Sequence, residues 1–326
     1  MYRKILNPLL GILAVLLLCG CSRDMAASRT GFYFDTVIEI TAYGEKSEEA
    51  VDQCFKLCGE MERIFSPTRS DSELYRVNHR SSDRVTVSDD LACVIEAGLS
   101  FYRLSDGKFD ITIAPVSSLW DFKSEDPLLP DEEKLKEAVR KVDASLVHLS
   151  GNTLTFDSAD TMLDLGGLAK GYAADQLKEC LESYGIESAI INLGGNVVVV
   201  GREPDEGLWK VGIQKPFGQR NELITTVETQ DRSVVSSGVY ERCFEKDGRL
   251  YSHILDASTG YPADTDLWQA TILSDSSLTG DGLSTVCILL GYEKARALTD
   301  TLDDIEAIFV LKGGRLAEDM DSNEET

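Results

Sequence analysis

The stretch "LDLGGLAKGYAADQLKECLESYGIESAIINLGGNVVVVG", residues 163–201, decides the fold. From about Leu168 to Tyr184 its spacing is helical, with glycines and Lys170 at the start. It runs into "AIINLGGNVVVVG", a buried strand pair broken by glycines. Upstream, "TVIEITAYG" alternates as a strand. Residues 46–64 then place Ala50, Val51, Cys54, Phe55, Leu57, Cys58, Met61 and Ile64 on one helical face. A further helix starts at Ser88, a good N-cap followed by Asp89 and Asp90, and stops before Gly107. "DEEKLKEAVRKV" is a polar surface helix, and "LVHLSGNTLTF" a hairpin turning at Gly151-Asn152. Downstream, strands fall at 209–214, 222–229 and 267–274, helices at 280–290 and 292–302, and a last strand at "EAIFVLK". Strands and helices alternate irregularly, which argues an α+β fold rather than a doubly wound sheet.

The ends carry different information. Arg3 and Lys4 precede an apolar run from Leu9 to Leu18, the pattern of a secretory signal. Leu18-Cys19-Gly20-Cys21 resembles a bacterial lipobox, whose last cysteine is lipidated and becomes the mature N-terminus. Residues 1–20 are therefore expected to be a lipoprotein signal peptide and residues 21–30 a polar tether carrying lipid on Cys21. The expected location is outside the cytoplasm, anchored to the cell membrane. Residues 318–326 form an acidic tail, expected to be disordered. The remaining 31–317 suffice for one large domain with a sizeable core. The formal charge of -24 disfavours nucleic acid or any other polyanion as a partner. An anionic ligand would need a cation or local dipoles to offset that field. Cys54, Cys58, Cys93, Cys180 and Cys287 lie among apolar residues at helical spacing, where buried free thiols are expected.

Three stretches carry chemistry. In "GGLAKG" the glycines permit close backbone approach, the helix start offers free N–H groups to a phosphate, and Lys170 adds a charge. The residue order is wrong for a P-loop. In "LTGDGLSTVCILLG", Asp281 and Thr285 are four apart on a helix, so their oxygens share a face. With a nearby carbonyl they form a partial site for Mg²⁺, which commonly completes its shell with substrate phosphates. On spacing alone they equally suit helix-dipole and backbone interactions. In "YSHILDASTGYP", His253 stands at a strand end beside Asp256 and a tight turn, placed as a base, a phosphate contact or a loop cap. His79 and His148 fall in a polar loop and in the hairpin. No protease pattern accompanies any of the three histidines.

Together, "LDLGGLAKGYAAD", "SHILDASTGYP" and "DGLST" resemble the ApbE family of FAD:protein FMN transferases. "FDTVIEI", "SPTRSDSELYRVN", "GKFDITIAPVSSLW", "INLGGNVVVVG" and "SSGVYERCF" match as well, so the likeness spans roughly residues 31–312. The resemblance implies an α+β fold with a T-fold-like core. It implies Mg²⁺-dependent transfer of FMN from FAD to a Thr or Ser hydroxyl of an acceptor protein. Hydrolysis of FAD to FMN and AMP, or flavin storage without catalysis, are the alternatives. By motif, the Gly167 carbonyl, Asp281 and Thr285 would hold the metal. FAD would contact Phe34, Thr68, Phe109, Asp110, Ile111, Asp164, Lys170 and Leu255. His253 and Lys170 would serve catalysis, with Asp256 as an alternative base. The implied acceptors are membrane-bound sodium- or proton-linked electron-transport complexes and exported flavin reductases. Phe34-Asp35-Thr36 stands where many relatives have Met-Gly-Thr, and Thr68 where some carry an aromatic residue.

Overall fold

In the strand Thr36–Tyr43, Ile38, Ile40 and Ala42 are buried on one side while Val37 and Glu39 are exposed on the other. That two-residue period builds one face of a sheet against a core. The computed structural model describes residues 26–204, 207–219 and 221–317. The signal segment, Cys21 and the acidic tail lie outside the described residues.

The chain enters through Ala26–Tyr33 (β1) and Thr36–Tyr43 (β2), a hairpin whose turn residues Phe34 and Asp35 both have positive φ. Ser47–Phe65 (α1) and Glu73–Asn78 (α2) follow. Arg84–Thr86 (β3) leads to Asp89–Leu104 (α3), capped by the Ser88 side chain accepting from Leu91 N–H. Ala114–Ser117 (α4) and Glu132–Val139 (α5) precede the hairpin Val147–Ser150 (β4) and Thr153–Phe156 (β5). Next come Ala169–Ser183 (α6), Ser188–Leu193 (β6) and Asn196–Gly201 (β7). Trp209–Gln214 (β8) and Leu223–Thr229 (β9) form a hairpin, and Ser233–Gly238 (β10) returns to the sheet. Cys243–Lys246 (β11) pairs with Arg249–Ser252 (β12). The last elements are Leu267–Ser274 (β13), Ser277–Leu290 (α7), Tyr292–Thr299 (α8), Glu306–Leu311 (β14) and Arg315–Leu316 (β15).

The main sheet runs β1-β2-β6-β7-β10-β13-β14-β15, antiparallel throughout. Helices α1, α6 and α7 cover one face, over the large core containing Ile40, Ile191 and Val198. The β8–β9 hairpin covers part of the other, where Trp209 and Val211 pack with Val199, Val234 and Leu273. The fold is α+β, as expected.

Three details correct the expectations. Residues 26–30, read as tether, are the start of β1, paired in unbroken register from Ala26↔Tyr43 to Tyr33↔Thr36. Their polar side chains suit an edge, where Arg29 meets Asp52 at 2.5 Å. The strand "SVVSSG" (β10) was not anticipated, because its serines break the apolar pattern. Two of them are satisfied by other hydroxyls, Ser236 with Thr271 and Ser237 with Ser284, each at 2.8 Å, while the Ser233 hydroxyl is buried without a partner. Cys93 is exposed, because it points away from the apolar face of α3. The six described cysteines are free, and only Cys54, Cys58 and Cys287 are fully buried.

The crossing of α6 and α7 positions the site. A Cβ at Gly171 would lie 2.7 Å from the Asp281 Cβ and collide with the Ser277 carbonyl. Only glycine lets the helices approach this closely. Each helix then caps the other. Asp175 of α6 accepts from Ser277 N–H at 2.6 Å and Leu278 N–H at 3.0 Å, while Asp281 of α7 accepts from Gly171 N–H at 2.9 Å. Both carboxylates thereby meet the positive end of a neighbouring helix.

Candidate active site

A cleft of about 1390 Å³ opens beside this crossing. Lys170, in the first turn of α6, donates to Asp281 Oδ1 at 3.1 Å, and the pair is sheltered, with 23% and 3% of the two side chains exposed. Asp281 is thus not a cap for its own helix, a role filled by Ser276. Thr285, one turn on, donates to the Asp281 carbonyl at 3.2 Å and lies 3.3 Å from Ser237 Oγ. A Cβ at Gly167 would come 3.8 Å from the Thr285 hydroxyl and 3.3 Å from the Phe109 ring, so the glycine sits against both. Gly167, Asp281 and Thr285 therefore line the same part of the cleft.

Their donors are a carboxylate, a hydroxyl and a carbonyl, all hard oxygens of the kind Mg²⁺ prefers. Among the described residues no three His, Cys, Asp or Glu side chains gather into a metal site. The donor set fits an ion that completes its shell with water and phosphate. Lys170 competes for the same carboxylate.

His253 is half-buried on the cleft wall. Its backbone N–H donates to the Arg242 carbonyl at 3.0 Å, while its Nδ1 is buried without a partner. Burial, reinforced by the Arg242 and Lys170 cations, pushes the imidazole pKa down to about 4. Asp256 is differently engaged. It accepts from Lys108 Nζ at 2.7 Å and from Ser258 N–H at 2.8 Å and the Ser258 hydroxyl. Burial works to raise its pKa, but these contacts outweigh it and hold the carboxyl below its usual range. Asp256 is a turn-forming anion, poorly suited as a base.

The flavin-contact candidates divide. Phe34, Thr68, Phe109, Asp164 and Leu255 line the cleft. The Phe34 N–H is fixed by Glu62 Oε1 at 2.9 Å, and Asp164 by Ser117 Oγ at 2.7 Å and Gly166 N–H at 2.9 Å. Thr68 is exposed on the Ser66–Arg69 turn. Asp110 touches the cleft, yet its carboxylate accepts from Thr112 N–H and Oγ1 and from Ala144 N–H, at 2.6–3.0 Å. Ile111 is buried against Gly98 and does not line the cleft. These two hold the wall in place.

Two further residues escaped the sequence reading, Glu241 and Arg242. Glu241 is open to the solvent of the cleft yet surrounded by protein on most sides. Desolvation pushes its pKa up to about 7, opposed by Lys170 and reinforced by Asp281. Water in the cleft tempers that shift. Arg242 donates to the Asp35 carbonyl at 3.3 Å. The available signal was "YER", one residue past the end of β10, recognisable only once β10 is seen as a strand ending at the cleft.

The helix-start N–H groups expected to face a phosphate are taken instead, Gly171 N–H by Asp281 and Ser277 and Leu278 N–H by Asp175. A cleft that combines Lys170 and Arg242 with hard-oxygen donors defines a class: α+β proteins built to hold a phosphate-bearing ligand in an otherwise acidic body. The ApbE family model matches residues 34–309, and the chain belongs to that family. A Treponema pallidum protein named FAD:protein FMN transferase is 32% identical, over 94% of this chain and 92% of its own length. One from Klebsiella pneumoniae is 34% identical, over 81% and 83%. Among solved structures, the flavin transferase ApbE from Vibrio cholerae superposes with a TM-score of 0.81 at 28% identity, covering 89% of this chain and 94% of its own. The Pseudomonas stutzeri flavinyl transferase ApbE, apo form, gives 0.77 at 30% identity, covering 89% and 92%.

Proposed function

We propose that this chain transfers FMN from FAD to a serine or threonine hydroxyl of an acceptor protein, releasing AMP, with Mg²⁺ as the metal. The observation that carries the proposal is the convergence of Gly167, Lys170, Asp281 and Thr285 at the mutual capping of α6 and α7. The acceptor oxygen bonds to the FMN phosphorus, the bond from that phosphorus to the AMP oxygen breaks, and the hydroxyl proton passes to a base. We assign that proton to His253, a reading supported by its position on the cleft wall and its neutral state at pH 7. Lys170 and Arg242 offset the two negative charges of the pyrophosphate. Gly167, Asp281 and Thr285 would hold Mg²⁺, which when bound polarises the phosphoryl oxygen and stabilises charge on the departing AMP.

Incubation with FAD, Mg²⁺ and a candidate acceptor tests the reaction. A mass gain of one FMN on the acceptor supports transfer. Release of FMN and AMP with the acceptor unchanged identifies a hydrolase, and intact FAD a storage protein. We further propose that acceptors lie among membrane electron-transport complexes and exported flavin reductases.

The metal role has its own readout. Calorimetry with and without a chelator should show FAD affinity dropping at least about tenfold when metal is removed, because two phosphates then face an acidic protein with only partial compensation. Equal affinity in both conditions rules out a metal bridge. The Leu18-to-Cys21 pattern supports lipid anchoring outside the cytoplasm. Cys21→Ser should therefore move the protein from the membrane fraction to the soluble fraction, and an unchanged distribution would refute the anchor.

A further inference from the structure

The two members of the Lys170–Asp281 pair are held very differently. Asp281 has 3% of its side chain exposed, and the backbone fixes it, because its Oδ2 accepts from Gly171 N–H at 2.9 Å. Lys170 has 23% exposed and lines the cleft, with its Nζ 3.1 Å from Oδ1 and 3.4 Å from Oδ2. The carboxylate is therefore the fixed partner. The ammonium, a point charge on a flexible four-carbon stem, is the one that can leave. Helix stability does not account for this cation. Lys170 is the second residue of α6, at the positive end of the helix dipole, where an ammonium is disfavoured. The crossing of α6 and α7 is already secured by the close approach at Gly171 and by Asp175 capping α7. Desolvation of so sheltered a pair also offsets much of its attraction.

One carboxylate cannot serve two cations at full strength. Oδ1 is the oxygen not committed to the backbone, and Lys170 holds it the more closely. We propose that Lys170 is an exchangeable counter-ion: it pairs with Asp281 until it yields that carboxylate to a divalent ion, and the released ammonium then pairs with the pyrophosphate of FAD. This rests on the transferase reading above. The exchange makes metal and FAD bind cooperatively. Either ligand alone breaks the Lys170–Asp281 pair and leaves one member of it without a partner, which is costly in a sheltered site. Both ligands together give each member a new partner. By linkage, the factor by which metal raises FAD affinity equals the factor by which FAD raises metal affinity. Direct attraction between metal and phosphate contributes to that factor too, so the share due to Lys170 is what a test must isolate.

Calorimetry on the full chain isolates it, with Mn²⁺ as the probe because it takes the same hard oxygen donors as Mg²⁺. Three affinities are read: Mn²⁺ alone, FAD alone, and FAD at saturating Mn²⁺. Lys170→Met and Lys170→Gln should each bind Mn²⁺ alone at least about fivefold more tightly than the parent, because no ammonium then contests Asp281. In the same variants the ratio of FAD affinity with metal to that without should fall at least about fivefold. The glutamine keeps a polar end, so a folding loss confined to the methionine variant leaves the test standing. Unchanged Mn²⁺ affinity in both variants would show that Lys170 does not contest the carboxylate. Tighter Mn²⁺ with an unchanged ratio would show that the ammonium is not handed to phosphate, and either result overturns the exchange. Glu241 is another carboxylate that feels the Lys170 charge. In Glu241→Gln the parent's ratio should persist, and its loss there would place the released ammonium on Glu241 and overturn the proposal. A parent that binds Mn²⁺ but no FAD removes the transferase reading itself, and the exchange with it.

Discussion

Alanine or asparagine in place of Asp281 is expected to lower FMN transfer by roughly two to three decades, the usual loss when a group stabilising transition-state charge is removed, about 3–4 kcal/mol. The two variants separate its duties. Asparagine retains an oxygen for Gly171 N–H, so the α6 cap survives while the charge toward Lys170 is lost. Alanine loses both. Alanine should therefore melt lower than asparagine, by about 1–2 kcal/mol for the cap, while their transfer rates stay close. Thr285→Val keeps the shape and removes a neutral donor, so its loss should be smaller, about one decade. Lys170→Met should weaken FAD binding yet leave metal-dependent turnover, because the cation would still offset part of the pyrophosphate. Melting curves and transfer rates on the same samples decide the matter. Full activity in Asp281→Asn would end the assignment of this carboxylate to the reaction.

Much of this site was legible because its signals are local. The four-residue spacing of Asp281 and Thr285 is a property of one helix, whereas the close approach of Gly171, inside α6, to α7 is helix packing that the glycine-rich stretch did not itself announce. The apolar face of α1 followed from Ala50, Val51, Cys54 and Phe55, all buried. Where the deciding partner is distant, the sequence was silent. Asp281 caps a helix that begins more than a hundred residues earlier, and no spacing rule reaches that far. Strand β10 was invisible because Ser233, Ser236 and Ser237 look like loop residues until a neighbouring strand and helix supply hydroxyl partners for Ser236 and Ser237. Missing β10 also hid Glu241 and Arg242. Edge strand β1 failed for the complementary reason: backbone pairing along β2 holds a segment whose side chains bury little.

His253→Asn is expected to lower transfer by about two decades, within the range for loss of a general base, with FAD affinity nearly unchanged. Its pH behaviour tests the mechanism more sharply than the rate. In the free protein, burial and the Arg242 and Lys170 cations hold the imidazole pKa near 4, against 6.5 unperturbed. The folded state thus binds this proton less readily than the unfolded chain. The histidine's contribution to stability is complete above pH 6.5 and is lost as pH falls toward 4. Glu241 acts with the opposite sign. Its pKa is raised from 4.5 to about 7, so its contribution is present below pH 4.5 and fades as pH rises toward 7. Stability measured across pH 4–7 should rise more steeply with pH in Glu241→Gln than in the parent, and less steeply in His253→Asn. The catalytic profile adds a second sign. The FAD pyrophosphate would neutralise Lys170 and Arg242, removing much of the repulsion that opposes the imidazolium. The histidine pKa should therefore rise in the complex. Because kcat/KM reports the free enzyme and kcat the complex, the acid limb of kcat should fall at higher pH than that of kcat/KM. Both limbs should vanish in His253→Asn, and a limb that persists there would assign the proton to another group, with Glu241 a candidate that also lines the cleft.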